Sequence, residues 1–74
     1  MDNSTRESVE KELQILKTKI VLNEAQLLAM QMLQVPTEQT AKLNQQMSSV
    51  KTQVAFDKAY ASILDDILNK KEDK

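Results

Sequence analysis

Paired acidic residues are the first candidates for chemistry in this sequence: Glu10 with Glu12, and Asp65 with Asp66. Two carboxylates perform general acid/base catalysis when a closed cavity raises the pKa of one of them. Neighbouring residues on a helix point about 100° apart, so Asp65 and Asp66 do not converge on a cation. The sequence has no histidine that could activate a serine. We therefore expect a protein that is not an enzyme and that holds no metal and no other cofactor.

The composition excludes further classes of site. The 74 residues include no glycine, cysteine, histidine or tryptophan, which argues against phosphate-binding glycine loops, disulfides and zinc sites with the usual ligands. Ten basic and 11 acidic residues give a formal charge of −1, a balance that does not favour nucleic acid as a partner.

Membrane association is also not expected from the sequence. The longest stretch without charge, residues 25 to 37, is too short and too rich in glutamine to span a bilayer. Its polar residues are not basic, unlike those of a helix that lies on a membrane surface. Residues 1 to 12 contain acids and no apolar segment of the kind found in signal peptides. We expect a cytoplasmic protein.

The elements that position these residues are two helices. Pro36 is the single strong helix breaker, and both flanks are rich in Leu, Gln, Glu, Lys, Met and Ala, which favour helix. The sequence predicts one all-α domain over residues 1 to 74, an antiparallel two-helix hairpin with a coiled-coil-like seam. Helix one is expected over 4–34 with a capping box from Ser4 to Glu7, the turn over 35–37, and helix two over 38–69, followed by a flexible C-terminal tail. Thr37 is the expected cap of helix two.

Apolar residues in each half follow alternating steps of four and three, which is typical of a coiled-coil seam. The first set is Val9, Leu13, Leu16, Ile20, Asn23, Leu27 and Met30, and the second is Leu43, Met47, Val50, Val54, Asp57, Ala61, Leu64 and Leu68. Folding the chain into a hairpin pairs Leu16 with Val54 and brings Asp57 within reach of Lys17. Asn23 has two interpretations, a polar residue that fixes the register or a residue exposed at the edge of the seam.

The seam leaves apolar residues unused on both helices. On helix one they form a second stripe of Val21, Ala25, Leu28, Met32 and Val35, with Leu22, Ala29 and Leu33 beyond it, and on helix two they are Phe56, Tyr60, Ile63 and Ile67. Methionine-containing surface with few charges is typical of protein contacts. We predict that seven of these residues bind a partner, either a second copy or a different polypeptide: Val21, Leu28, Met32, Phe56, Tyr60, Ile63 and Ile67.

The turn and the start of helix two resemble a known family. They read Val35-Pro36-Thr37-Glu38-Gln39-Thr40-Ala41-Lys42-Leu43-Asn44-Gln45-Gln46, followed by the apolar residues Val50, Val54, Phe56 and Tyr60. This segment, within residues 35 to 64, resembles the small E-type co-chaperones of bacterial type III secretion systems. The resemblance implies a cytoplasmic virulence protein that binds and stabilises a larger helical-repeat chaperone. With that chaperone it would help to keep a needle subunit unpolymerised before transport.

Three other functions fit the same pattern. A structural homo-oligomer, in which two hairpins form a four-helix bundle, would use the same apolar stripes. A secreted filament subunit of the needle type is also a helix-turn-helix, but its turn usually carries paired prolines. An antitoxin or a phage-encoded inhibitor would cover the surface of its target. All of these functions require binding to another polypeptide. This is expected because a domain of this size rarely buries enough apolar surface to be stable alone.

Overall fold

The chain folds into an antiparallel pair of helices, which confirms the predicted all-α hairpin. The computed structural model describes residues 2 to 69 and contains α1 (Asn3–Gln31) and α2 (Thr37–Asn69). The long axis of the molecule measures 57 Å and the two short axes 16 and 14 Å. The predicted C-terminal tail lies outside the described residues.

The first helix begins at Asn3 and is capped by Asp2 rather than by the predicted box from Ser4 to Glu7. The Asp2 side chain accepts a hydrogen bond of 2.7 Å from the backbone N–H of Thr5. This bond pairs one of the N–H groups that the first turn of a helix leaves free. The backbone N–H and then the side chain of Thr5 hold the pKa of Asp2 below its usual value.

The first helix ends at Gln31, three residues before the predicted end, and this corrects the boundary drawn from Pro36. The N–H groups of Met32 and Leu33 bond at 3.1 Å to carbonyls three residues back, as in a tightened final turn. Residues 33 to 36 have no regular structure. The carbonyl of Pro36 then accepts a bond of 2.8 Å from the N–H of Gln39, which lies in the first turn of α2.

The burial pattern confirms which residues form the seam. Every residue of the two predicted seam sets is buried or half-buried. The buried apolar residues are Leu13, Leu16, Val54, Ala61, Leu64 and Leu68. Asp57 is buried with them, and Asn23 is half-buried. The four-three spacing therefore identified the contact face of both helices.

The register of the seam differs from the prediction, and the pairing of Leu16 with Val54 is wrong. Leu16 belongs to a buried cluster that does not include Val54. Its members are Leu13, Leu16, Ala61, Leu64 and Leu68, with Val9 and Ile20 packed against them. The helices are shifted by about one heptad, which places Leu16 level with Ala61 instead.

An ion pair between the helices requires the same shift. Glu24 and Lys58 form an ion pair of 2.7 Å. In the predicted pairing Glu24 would lie opposite Gln46, about 18 Å along the axis from Lys58 at 1.5 Å per residue, which is too far for two side chains. Near the other end, Nη1 of Arg6 donates to the carbonyl of Leu68 at 3.4 Å.

Burial at the open end of the hairpin explains the shift. The predicted pairing leaves Leu64 and Leu68 beyond Val9, where α1 offers no apolar partner, whereas both leucines are buried in the structure. Full burial of a leucine stabilises by about 1.5 to 3 kcal/mol. The shift leaves the first turns of α2 beyond the end of α1, where the half-buried Val35 and Leu43 lie.

Candidate protein-binding faces

The seam divides the surface of the hairpin into two sides. With the seam residues at positions a and d of a heptad, positions e and b lie on one side and positions g and c on the other, while f points away from the seam. In an antiparallel pair, e positions face e positions. Glu24 and Lys58 are both e residues, and their ion pair marks this side, which we call the e side. The opposite side is the g side.

The e side carries a groove of about 500 Å³ between the helices. Its lining residues all fall at positions a, b or e: Lys17, Ile20, Val21, Lys58, Ala61, Ser62 and Asp65. Charged side chains of both signs, Lys17, Lys58 and Asp65, border this e-side groove beside its apolar residues. Lys17 lies here and not beside Asp57, so the predicted contact between these two residues is wrong.

Asp57 faces the g side and is 3% exposed. Nε2 of Gln53 donates a hydrogen bond of 2.9 Å to its Oδ1 atom. Nζ of Lys19 lies 3.8 Å from Oδ2, which has no hydrogen-bond partner among residues 2 to 69. A buried carboxylate is costly unless a cation or hydrogen-bond donors compensate it. Lys19 therefore balances a charge inside the seam, and it does so from the g side.

The g side exposes a broad apolar surface made by both helices, which we call the g-side face. Its large residues fall at positions c and g: Ile15, Leu22, Phe56, Tyr60, Ile63 and Ile67. Phe56 is 68% exposed and Tyr60 41%. A shallow groove of about 250 Å³ runs between these rings and Ile63. Such surface is unusual on a protein that has no partner.

The seven predicted binding residues are all exposed, but the structure does not gather them on one face. The four from helix two belong to the g-side face. The three from helix one lie elsewhere: Val21 and Leu28 at position b, toward the e side, and Met32 at the end of α1. We call these three residues the α1 stripe. Their role in binding stays a prediction.

The prediction missed Ile15, which is 61% exposed and extends the g-side face onto the first half of α1. Its signal is a spacing of seven residues, because Ile15, Leu22 and Ala29 share position c. Leu22 lies outside the seam in the sequence pattern, but it is not among the seven predicted binding residues. Together, these two residues make the g-side face a product of both helices rather than of α2 alone.

The fold and these faces define an all-α hairpin with apolar residues exposed on both sides of its seam. The chain matches no protein-family model, no curated protein and no solved structure. Within residues 2 to 69, no group of three acidic side chains is placed to hold a metal ion. Neither α1 nor α2, over its described length, is long and apolar enough to cross a membrane. The exposed apolar surfaces are therefore the features of the described residues that bear on function.

Proposed function

We propose that this protein is a non-enzymatic, cytoplasmic co-chaperone. It binds and stabilises a larger helical-repeat chaperone, and with that chaperone it helps to keep a type III secretion needle subunit unpolymerised. The sequence resemblance is the reason for proposing this family. The exposed apolar surface of α1 is the physical reason for proposing a partner.

The observation that carries the proposal is the exposure of Val21 and Leu22, which are adjacent and are 63% and 64% exposed. Adjacent helical residues point about 100° apart, so one side chain faces the e side and the other the g side. Leu28 repeats the position of Val21 one heptad later and is 61% exposed. The second half of α1 thus exposes apolar side chains around much of its circumference, and α2 buries only one side of it. A partner would have to contact the rest.

A concave partner meets this requirement better than a flat one. Helical-repeat proteins form extended concave surfaces, and such a surface contacts the e side, the back and the g side of one helix together. A second hairpin that packs on the g side leaves Val21, Leu28 and Met32 in water. Each large apolar side chain left exposed forgoes about 1.5 to 3 kcal/mol of burial, so the α1 stripe favours the concave partner.

The experiment is co-expression of this chain with the products of the neighbouring open reading frames, among which a helical-repeat chaperone is expected, followed by purification and light scattering. The wild type is expected to form a stable complex with that chaperone. Leu28→Asp is expected to weaken capture by at least about tenfold, because the loss of one buried leucine and the burial of a charge exceed 1.4 kcal/mol.

Gln14→Asp is the matched control, because Gln14 occupies the same heptad position as Leu28 but lies two turns before the α1 stripe. It adds the same charge to the same row of α1 and should leave capture unchanged. Normal capture by Leu28→Asp, or failure of the wild type to bind the chaperone, would contradict the proposal.

A further inference from the structure

We infer that the g-side face is the docking site for a second copy of this chain, and that two copies form a parallel four-helix bundle. The inference concerns the free protein and does not depend on the proposed chaperone. It rests on the register of the hairpin, on the charges beside the face, and on the area that the face leaves exposed.

The register places the apolar residues of both helices at matching levels. Ile15 of α1 lies level with Ile63 of α2, and Leu22 lies level with Phe56, each within about one helical turn. These four side chains all occupy position c and are 57 to 68% exposed. Each hairpin therefore exposes one apolar row on α1 and one on α2, and the large residues of both rows lie at the same two positions along the long axis.

A dimer whose two-fold axis is parallel to the helices brings these matching levels into contact. Rotation about such an axis lays α1 of one copy on α2 of the other without changing the height of any residue. Ile15 then meets Ile63 of the second copy, and Leu22 meets its Phe56. The contact is repeated on the other side of the axis, so the face is complementary to itself.

Charge selects this parallel arrangement over the antiparallel one. Lys19 is the cation at the centre of the g-side face, level with Tyr60 and close to Asp57. When α1 packs antiparallel on α1 with Ile15 opposite Leu22, the two Lys19 side chains approach each other. In the parallel pair, Lys19 faces the Tyr60 ring of the second copy, and a cation over an aromatic ring is attracted to it.

The exposed area is sufficient for a stable dimer. The six side chains of the g-side face are 41 to 68% exposed. With roughly 150 to 250 Å² for a whole aromatic side chain and somewhat less for Ile or Leu, they leave on the order of 600 Å² per copy. Two copies then bury about 1,200 Å², which is the lower bound for specific, stable interfaces.

The first test is the mass of the purified chain alone, measured by light scattering across micromolar concentrations. The wild type should have twice the mass of one chain. Ile15→Glu and Phe56→Glu should have the mass of one chain, with circular dichroism confirming that both stay helical. Ile15→Ala, which adds no charge, should weaken the dimer by about tenfold.

Leu28→Glu is the matched control, because Leu28 is as exposed as Ile15 but lies off the g-side face. It should remain a dimer. A wild type with the mass of one chain would overturn the inference, as would a dimer that dissociates with Leu28→Glu and persists with Ile15→Glu. Since capture of the chaperone is read separately, failure of one proposal leaves the other standing.

Disulfide cross-linking tests the geometry, because the chain has no cysteine of its own. A mixture of Ile15→Cys and Ile63→Cys chains should form a mixed disulfide dimer on oxidation. A mixture of Ile15→Cys and Leu22→Cys chains should not, because these residues meet only when α1 packs antiparallel on α1. The reverse result would overturn the parallel bundle.

Discussion

Nζ of Lys19 lies 3.8 Å from Oδ2 of Asp57, so a half-exposed cation of α1 balances a carboxylate of α2 that is almost fully buried. The pair stands on the g side of the seam, with Gln53 bonded to the other carboxylate oxygen. Breaking a buried ion pair costs about 3 to 5 kcal/mol, while replacing the buried charge by a hydrophobic residue is often neutral or stabilising.

We predict that Lys19→Met destabilises the hairpin by about 1 to 2 kcal/mol. This is less than for a fully buried pair, because water screens the half-exposed ammonium. Asp57→Leu should be neutral or should stabilise, because it adds apolar contact to the seam and removes a buried charge. Urea unfolding followed by circular dichroism measures both changes.

The double variant separates charge from packing. In the Asp57→Leu background, Lys19→Met should cost little, because no carboxylate remains to be balanced. An equal cost of Lys19→Met in both backgrounds would show that the lysine contributes to stability independently of Asp57.

The register gives a second prediction. A chain with Leu16→Cys and Ala61→Cys should form an internal disulfide, whereas Leu16→Cys with Val54→Cys should not. Val54 lies a full heptad, about 10 Å, from Ala61 along α2, which is beyond the reach of a disulfide. Gel mobility and thiol titration after mild oxidation distinguish the two outcomes. A bond between the Leu16 and Val54 positions would restore the pairing expected from sequence.

The seam residues were predictable because the face that a helix buries is a local property, recorded in its own four-three spacing. The register was not, because a shift of seven residues returns every seam position to a seam position. What decides the register is non-local: burial of Leu64 and Leu68 at the open end, and the contact of Glu24 with Lys58. The matching levels of the two helices on the g-side face depend on that register, whereas Ile15 has a local signal, its seven-residue spacing to Leu22 and Ala29.

The ends of α1 show a second limit. Pro36 predicts a break in the helix, but α1 already ends at Gln31. There the backbone N–H groups bond to carbonyls three residues back instead of four. At the start, two residues compete for the cap, and Asp2 is used instead of Ser4. Such choices depend on a few backbone angles, which composition and periodicity do not determine.

The cap gives a prediction about pH. The folded pKa of Asp2 lies below its ordinary value of 3.8, so its contribution to stability is complete above that value and is lost as the pH falls through the folded pKa. Asp2→Asn keeps a capping oxygen that does not titrate. Between about pH 5 and pH 2, the melting temperature of the wild type should therefore fall more than that of Asp2→Asn. An equal fall of the melting temperature in both proteins would show that Asp2 does not cause the loss of stability at low pH.

The distribution of the core gives the last prediction. Leu13, Leu16 and Leu64 are buried in one cluster near the open end of the hairpin, whereas Leu43 near the turn is only half-buried. Leu64→Ala should cost about 2 to 4 kcal/mol, because it leaves a cavity among buried side chains, and Leu43→Ala only about 1 kcal/mol. Urea unfolding gives the two values.

Hydrogen exchange should reveal the same gradient without any substitution. Amides near Leu16 and Ala61 should exchange only on global unfolding, while those near Leu43 should exchange through local opening, because local stability follows buried apolar contact. Equal protection at both ends, together with equal costs for the two alanine variants, would show that the turn is as well packed as the open end. The open end also carries most of the g-side face, so the best-ordered part of the hairpin holds the surface on which a second copy is expected to dock.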